Sequence, residues 1–155
     1  MSRAVISLGG NLGDRRATID AAIETLRGYV TVDAVSPYYE SDPVGVDPMP
    51  DFLNAIVLVT TDLTPYDLIE LGQSIERDAG RVPQPRGRAR PLDVDVIVYD
   101  DVVSDDPQVT LPHPRAWQRT FVLRPWLDVD PDAVIPGHGR VADLIGDAIG
   151  EVRPG

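Results

Sequence analysis

"RGRARPLDVDVIVYDD", residues 86–101, carries the pattern that organises the rest of the chain. From Leu92 to Tyr99 it alternates and is rich in β-branched residues, which predicts a strand. Side chains alternate between the two faces of a strand. Asp93, Asp95, Ile97 and Tyr99 are therefore expected on one face, and Leu92, Val94, Val96 and Val98 on the other. Two carboxylates then project together, with Cα atoms roughly 6.5–7 Å apart. Left bare on a sheet, they would repel each other and lose hydration. A divalent cation offsets that cost, because Mg²⁺ is typically held by one or two carboxylates together with phosphate oxygens. Paired carboxylates also bridge two metal ions about 3.5–4 Å apart in enzymes of in-line phosphoryl displacement. Arg81, Arg86, Arg88 and Arg90 precede the strand in a proline-rich segment and are suited to neutralising phosphate charge. The pair alone also fits a plainer arrangement, a strand end in water whose aspartates are paired with the arginines.

The flanking sequence supplies a sheet for this strand. "AVISLGG" (4–10) reads as a buried strand, with its glycines serving a tight strand-to-helix turn. It lacks both the G-x-G-x-x-G spacing and a Walker lysine. In the following helix Ile19, Ala22, Ile23 and Leu26 keep helical spacing, and Gly28 suits the position after its end. Residues 30–41 read as one long strand, with Pro37 marking an edge or a bulge. Residues 52–63 are mostly apolar on both alternate faces, which predicts a central strand. Residues 63–80 form the clearest helix, with Thr64 as cap, Pro65 in the first turn and Gly80 at the end. Its predicted buried stripe is Leu68, Leu71, Ile75 and Ala79. Segment 102–112 reads as a hairpin arm, and two short helices follow near the end. The order β-α-β-β-α-β matches an α+β, ferredoxin-like core with a C-terminal hairpin and short helices.

At 155 residues the chain is expected to be one domain, 1–155. Its net charge of −11 disfavours nucleic acid or an acidic membrane as partner. All 14 basic residues are arginine, so a lysine P-loop and Schiff-base chemistry are excluded. The absence of cysteine excludes disulfides, zinc–thiolate sites and a thiol nucleophile. A first strand beginning at Ala4 leaves no room for a signal peptide, and no apolar run reaches membrane-spanning length. These features fit a cytoplasmic monomer. Two proline-rich segments, 43–50 and 83–91, read as long ordered loops. His113, between prolines, reads as a structural or exposed histidine rather than a metal ligand. Phe52 and Phe121 are core residues by default. Asn54 shares a strand face with Phe52, and a buried amide there either meets a polar ligand or pins backbone.

Five stretches, in order, carry a resemblance: "SLGGNLGDR", "YYESDPVGVDPMPDFLNA", "IERDAGRV", "PLDVDVIVYDD" and "LPHPRAWQRTFVLRPW". Over nearly its whole length the chain resembles the 6-hydroxymethyl-7,8-dihydropterin pyrophosphokinase family. The resemblance implies attack of a pterin hydroxymethyl group on the β-phosphorus of ATP, with AMP leaving. It implies two Mg²⁺ ions bridged by Asp93 and Asp95. Phe52 and Phe121 would sandwich the pterin, Asn54 would bond its edge, and Ser41 and Val44 would offer backbone contacts. Gln73, Glu76, Arg81, Arg90, His113 and Arg119 would meet ATP, with Arg81 and Arg90 acting in catalysis. The sequence departs from the family ahead of Asp93. Arg88-Ala89-Arg90-Pro91-Leu92 stands where a tryptophan and a Gly-Pro step are usual, and the segment from Arg81 is about one residue shorter. That departure leaves open a second function, a catalytically weakened nucleotide- and metal-binding module of the same fold.

Overall fold

The computed structural model describes residues 1–43, 49–80 and 91–155. The elements run β1 (Ser2–Gly10), α1 (Arg15–Arg27), β2 (Thr31–Val35), β3 (Tyr39–Ser41), β4 (Phe52–Thr61), α2 (Pro65–Asp78), β5 (Asp93–Tyr99), β6 (Ser104–Asp106) and β7 (Val109–Leu111). They continue with α3 (Thr120–Val129), β8 (Val134–Ile135), β9 (Gly139–Arg140), α4 (Val141–Leu144) and β10 (Val152–Pro154). The main sheet has the order β10-β3-β4-β1-β5, with β2 also paired to β4, and every pairing is antiparallel. Helices α1 and α2 connect its outer and inner strands. This is the ferredoxin-like arrangement expected from the sequence, with the hairpin β6–β7 and the short helices following it.

Local chemistry starts both long helices, at Thr64 as predicted and at Asp14, which the sequence reading did not single out. The Asp14 carboxylate accepts from Ala17 N–H at 3.1 Å, and the Thr64 hydroxyl accepts from Asp67 N–H at 3.1 Å, with Pro65 at the first helical position. Each bond satisfies a donor that the first turn leaves unpaired. Gly80 has φ of +91° just past the end of α2. Gly28 does not use that freedom: its φ of −76° is right-handed, and Tyr29 and Val30 N–H close the turn on Leu26 O.

Alternation divides the sheet into two unlike faces. Ala4, Ile6 and Leu8 join Leu53, Ala55, Val57, Val59, Val94 and Val96 under α1 and α2. Gly72 belongs to this contact, since a Cβ there would lie 3.1 Å from Val94 Cγ1, whereas Leu71 and Ala79 are half-buried. The opposite face is covered at one end. Val5, Ile56, Ile97 and Val98 pack there against Val122, Leu123 and Trp126 of α3. Beyond α3 the described residues leave that face open to a cleft.

Three expectations need correction. Residues 30–41 are two strands, not one. From Val35 to Tyr39 the chain takes four steps while β4, from Val57 to Asn54, takes three. Pro37 has no N–H to give the ladder. Ser36 bridges the break: its hydroxyl accepts from Ile56 N–H and donates to Pro37 O, each at 2.8 Å. Gly9 and Gly10 lie inside β1, and the turn falls at the next residues, where Gly13 has φ of +64°. Tyr99 does not share a face with the aspartates, nor Val98 with Val94 and Val96. Ile6 pairs with Val96 but Val5 with Val98, so β5 holds one extra residue. Such a bulge reverses the alternation beyond it. Tyr99 therefore packs on the α1–α2 side, where its partly buried hydroxyl donates to Leu63 O at 2.7 Å. Tyr99→Phe is expected to cost about 1 kcal/mol, the usual value of such a bond, and to lower Tm by about 2–4 °C in thermal unfolding.

Candidate active site

The open end of the second face contains the predicted carboxylates. Asp95 stands opposite Ser7, which in turn faces Ile56, while Asp93 stands opposite Gly9, which faces Asn54. One step further along β4, Phe52 pairs with Ser41. Two antiparallel rows thus bring Asp93, Asp95, Asn54, Phe52 and Ser41 onto one surface. The surface floors a cleft of about 1010 Å³. Its walls include Gln73 and Glu76 of α2, His113, and Arg119 and Phe121 at the start of α3. Every described residue singled out from the sequence lines this one cleft. Val44, Arg81, Arg86, Arg88 and Arg90 lie outside the described residues, as does most of the two proline-rich segments.

Backbone geometry explains each position. Gly10 is where β1 passes closest to the start of β5: a Cβ on it would sit 2.1 Å from Pro91 O. At Gly9 a Cβ would meet Asn54 Oδ1 at 3.1 Å. These glycines therefore set the approach of Asp93 and leave room for the Asn54 amide. Asn54 is 3% exposed, and its amide donates to Tyr39 O at 3.1 Å and to Ser41 Oγ at 2.8 Å. It pins backbone while lining the cleft, so both roles weighed for it are compatible. Glu76 Oε2 accepts from Val94 N–H at 2.8 Å. The bond ties α2 to the outer edge of β5 at the residue between the two aspartates. His113 N–H donates to Ile97 O at 2.8 Å, and its Nδ1 accepts from Arg115 N–H at 3.3 Å. The Arg119 guanidinium lies 5.4 Å from the centroid of the Phe121 ring, within cation–π range.

Asp93 and Asp95 are each half-buried and face the cleft. Among the described residues no group of three His, Asp or Glu converges to make a closed metal cage. Two hard oxygen donors lining a cleft fit Mg²⁺, which prefers to complete its shell with water and phosphate rather than protein.

Sequence reading missed two groups of residues. Ser7 and Gly9 face the aspartates only through strand register, which a single strand's pattern does not reveal. Arg15 and Arg153 flank the Phe52–Ser41 end. Arg15 Nη2 meets Glu40 Oε1 at 2.7 Å and its Nη1 donates to Asp51 O at 3.0 Å. The hydrogen bond from Arg15 holds the Glu40 carboxyl below the usual carboxylate range.

Comparison with known proteins identifies the family. Residues 5–131 match the model of the 7,8-dihydro-6-hydroxymethylpterin-pyrophosphokinase family. The 2-amino-4-hydroxy-6-hydroxymethyldihydropteridine pyrophosphokinase of Porphyromonas gingivalis is 41% identical, over 84% of this chain and 92% of its own. The Mycobacterium leprae protein of the same name is also 41% identical, over 99% of this chain and 85% of its own. The crystal structure of wild-type Plasmodium falciparum HPPK-DHPS superposes with a TM-score of 0.73 at 14% identity, covering 94% of this chain and 44% of that one. The chain is thus a transferase built on a ferredoxin-like sheet. It belongs to the 7,8-dihydro-6-hydroxymethylpterin-pyrophosphokinase family. Among the described residues no helix is long and apolar enough to cross a membrane.

Proposed function

We propose that residues 1–155 act as one domain that transfers pyrophosphate from ATP to 6-hydroxymethyl-7,8-dihydropterin, a step of folate biosynthesis, and releases AMP. The observation carrying this is the common cleft. Two aspartates, Phe52 and a buried amide share one sheet face, and Phe121 of α3 lines the same cleft. A flat heteroaromatic needs stacking faces and a few polar edge contacts. Phe52 and Phe121 supply the faces, and Asn54 and Ser41 the edge contacts, with Val44 assigned by resemblance. Gln73, Glu76, His113 and Arg119 line the ATP side, and Arg81 and Arg90 are assigned to its phosphates.

In the reaction the hydroxymethyl oxygen of the pterin forms a bond to the β-phosphorus. The bond from that phosphorus to the α,β-bridging oxygen breaks, AMP leaves with the oxygen, and the hydroxyl proton is lost to solvent. Asp93 and Asp95 would hold two Mg²⁺ ions, which shield the phosphate oxygens and offset the charge that develops on them. Arg119 adds a permanent positive fork at the rim. The sheet holds the two substrates in line, so the chain contributes mainly positioning. A cytoplasmic monomer is the expected state, in keeping with the acidic, cysteine-free composition. A weakened binding module is the less supported function, because the relatives matching most of the chain are named as pyrophosphokinases.

The test is incubation with ATP, Mg²⁺ and 6-hydroxymethyl-7,8-dihydropterin, followed by chromatographic separation of AMP from ADP. AMP and pterin diphosphate are expected in equal amounts. ADP as product, or AMP released without pterin, would overturn the proposal.

A further inference from the structure

The end of the chain runs along the aromatic side of the cleft and touches both of its walls. After α4, Ile149 bridges in parallel to Arg119. Its N–H donates to Gln118 O at 2.7 Å, and its carbonyl accepts from Thr120 N–H at 3.2 Å. These bonds hold the backbone one residue ahead of Phe121. Three residues later β10 adds to the sheet, with Val152 opposite Ser41 and Arg153 opposite Glu40. Gly155 N–H closes the strand on Tyr38 O at 2.9 Å.

The Arg153 side chain then meets three carboxylates from two chain segments. Its Nε lies 3.5 Å from Glu40 Oε2 and its Nη1 3.2 Å from Asp42 Oδ1, while Nη2 bonds Asp51 Oδ2. Glu40 and Asp42 flank Ser41, and Asp51 precedes Phe52. One planar fork therefore spans the strand that ends at Ser41 and the strand that begins at Phe52. An exposed ion pair contributes little to stability. A guanidinium held at three points fixes geometry instead, in a way that a flexible ammonium does not.

We propose that Arg153 is a positioning residue for the pterin. It clamps the segments bearing Ser41 and Phe52, while the preceding Ile149 bridge sets the opposite wall at Phe121. This role presupposes the pterin subsite proposed above. It predicts a selective defect, because the described ATP side of the cleft is built from α2, β5, His113 and Arg119, whereas the Arg153 side chain meets Glu40, Asp42 and Asp51.

The experiment compares Arg153→Ala and Arg153→Lys with the unmodified chain, varying each substrate in turn and measuring pterin binding by fluorescence titration. Arg153→Ala is expected to raise KM and Kd for the pterin about tenfold, as small misplacements do, with KM for ATP within about twofold. Arg153→Lys is expected to recover part of the loss. If Arg153→Ala does not fold, Asp51→Asn removes the clamp at Phe52 and is expected to show the same selectivity. An unchanged pterin KM, or equal rises in both KM values with a lowered Tm, would overturn the positioning role. Phe52→Ala separates the two proposals. If it leaves pterin binding unchanged, the subsite assignment fails. If it weakens binding while the Arg153 variants do not, the clamp alone fails.

Discussion

Asp95→Asn is expected to reduce pterin-dependent AMP formation by on the order of 10³-fold, the scale of losing one preorganised charge partner at a transition state. The substitution keeps shape and hydrogen-bonding capacity but removes the negative charge. Asp95 projects from the middle of β5, opposite Ser7, where the strand is held by β1 on one side and by Glu76 through Val94 N–H on the other. The replaced side chain therefore stays in place, and the loss reports charge rather than collapse. Pterin binding, assigned to Phe52, Asn54 and Phe121, should change by less than about threefold, since uniform binding and transition-state binding are separable quantities. Single-turnover AMP release and fluorescence titration of the pterin measure the two. Near-normal AMP release at saturating Mg²⁺ would exclude the carboxylate from catalysis.

The second large effect is structural. Gly10→Ala places a methyl group 2.1 Å from Pro91 O and 2.9 Å from Pro91 C. Both neighbours are backbone, so no rotamer change relieves the clash. Either the end of β1 or the entry to β5 must move. The expected cost is about 3 kcal/mol, the upper part of the range for overpacking, and a fall in Tm of about 6–12 °C. Asp93 lies two residues past the clash, so AMP formation should fall as well. Gly146→Ala is the control: a Cβ there meets nothing within 4 Å, and its φ is not positive, so stability should stay within about 0.5 kcal/mol. A thermal scan of both variants decides the matter. If Gly10→Ala melts with the unmodified chain, the close approach of Pro91 is not a constraint on the fold.

The core was legible because it is built from long periodic segments. Four-point helical spacing in α1 and mostly apolar faces in β4 each point to one state, and the order of elements then fixes the sheet. The aspartates were legible for the same reason, since alternation over 92–96 is regular. Reasoning failed where backbone hydrogen bonds rather than side-chain pattern decide the outcome. The extra residue in β5 leaves no mark on composition, yet it sends Tyr99 to the other face. The break at Pro37 was visible, but the repair by the Ser36 hydroxyl was not. Strand β10 is three residues long and contains a proline, too short for any period, so Arg153 stood in the sequence as an isolated charge. Gly9 and Gly10 look like turn residues and act as strand residues, because what they accommodate is another segment's atoms.

The two unlike faces of β1, β4 and β5 have a consequence for how such a molecule changes over generations. At the open end of the sheet, inward residues that keep the chain folded alternate with outward residues that line the cleft along the same three strands. A mutation on the substrate side removes little buried hydrocarbon, so its cost falls on chemistry and hardly on persistence of the fold. Inactive descendants should therefore remain soluble and well ordered, and new specificities can be sampled without first acquiring spare stability.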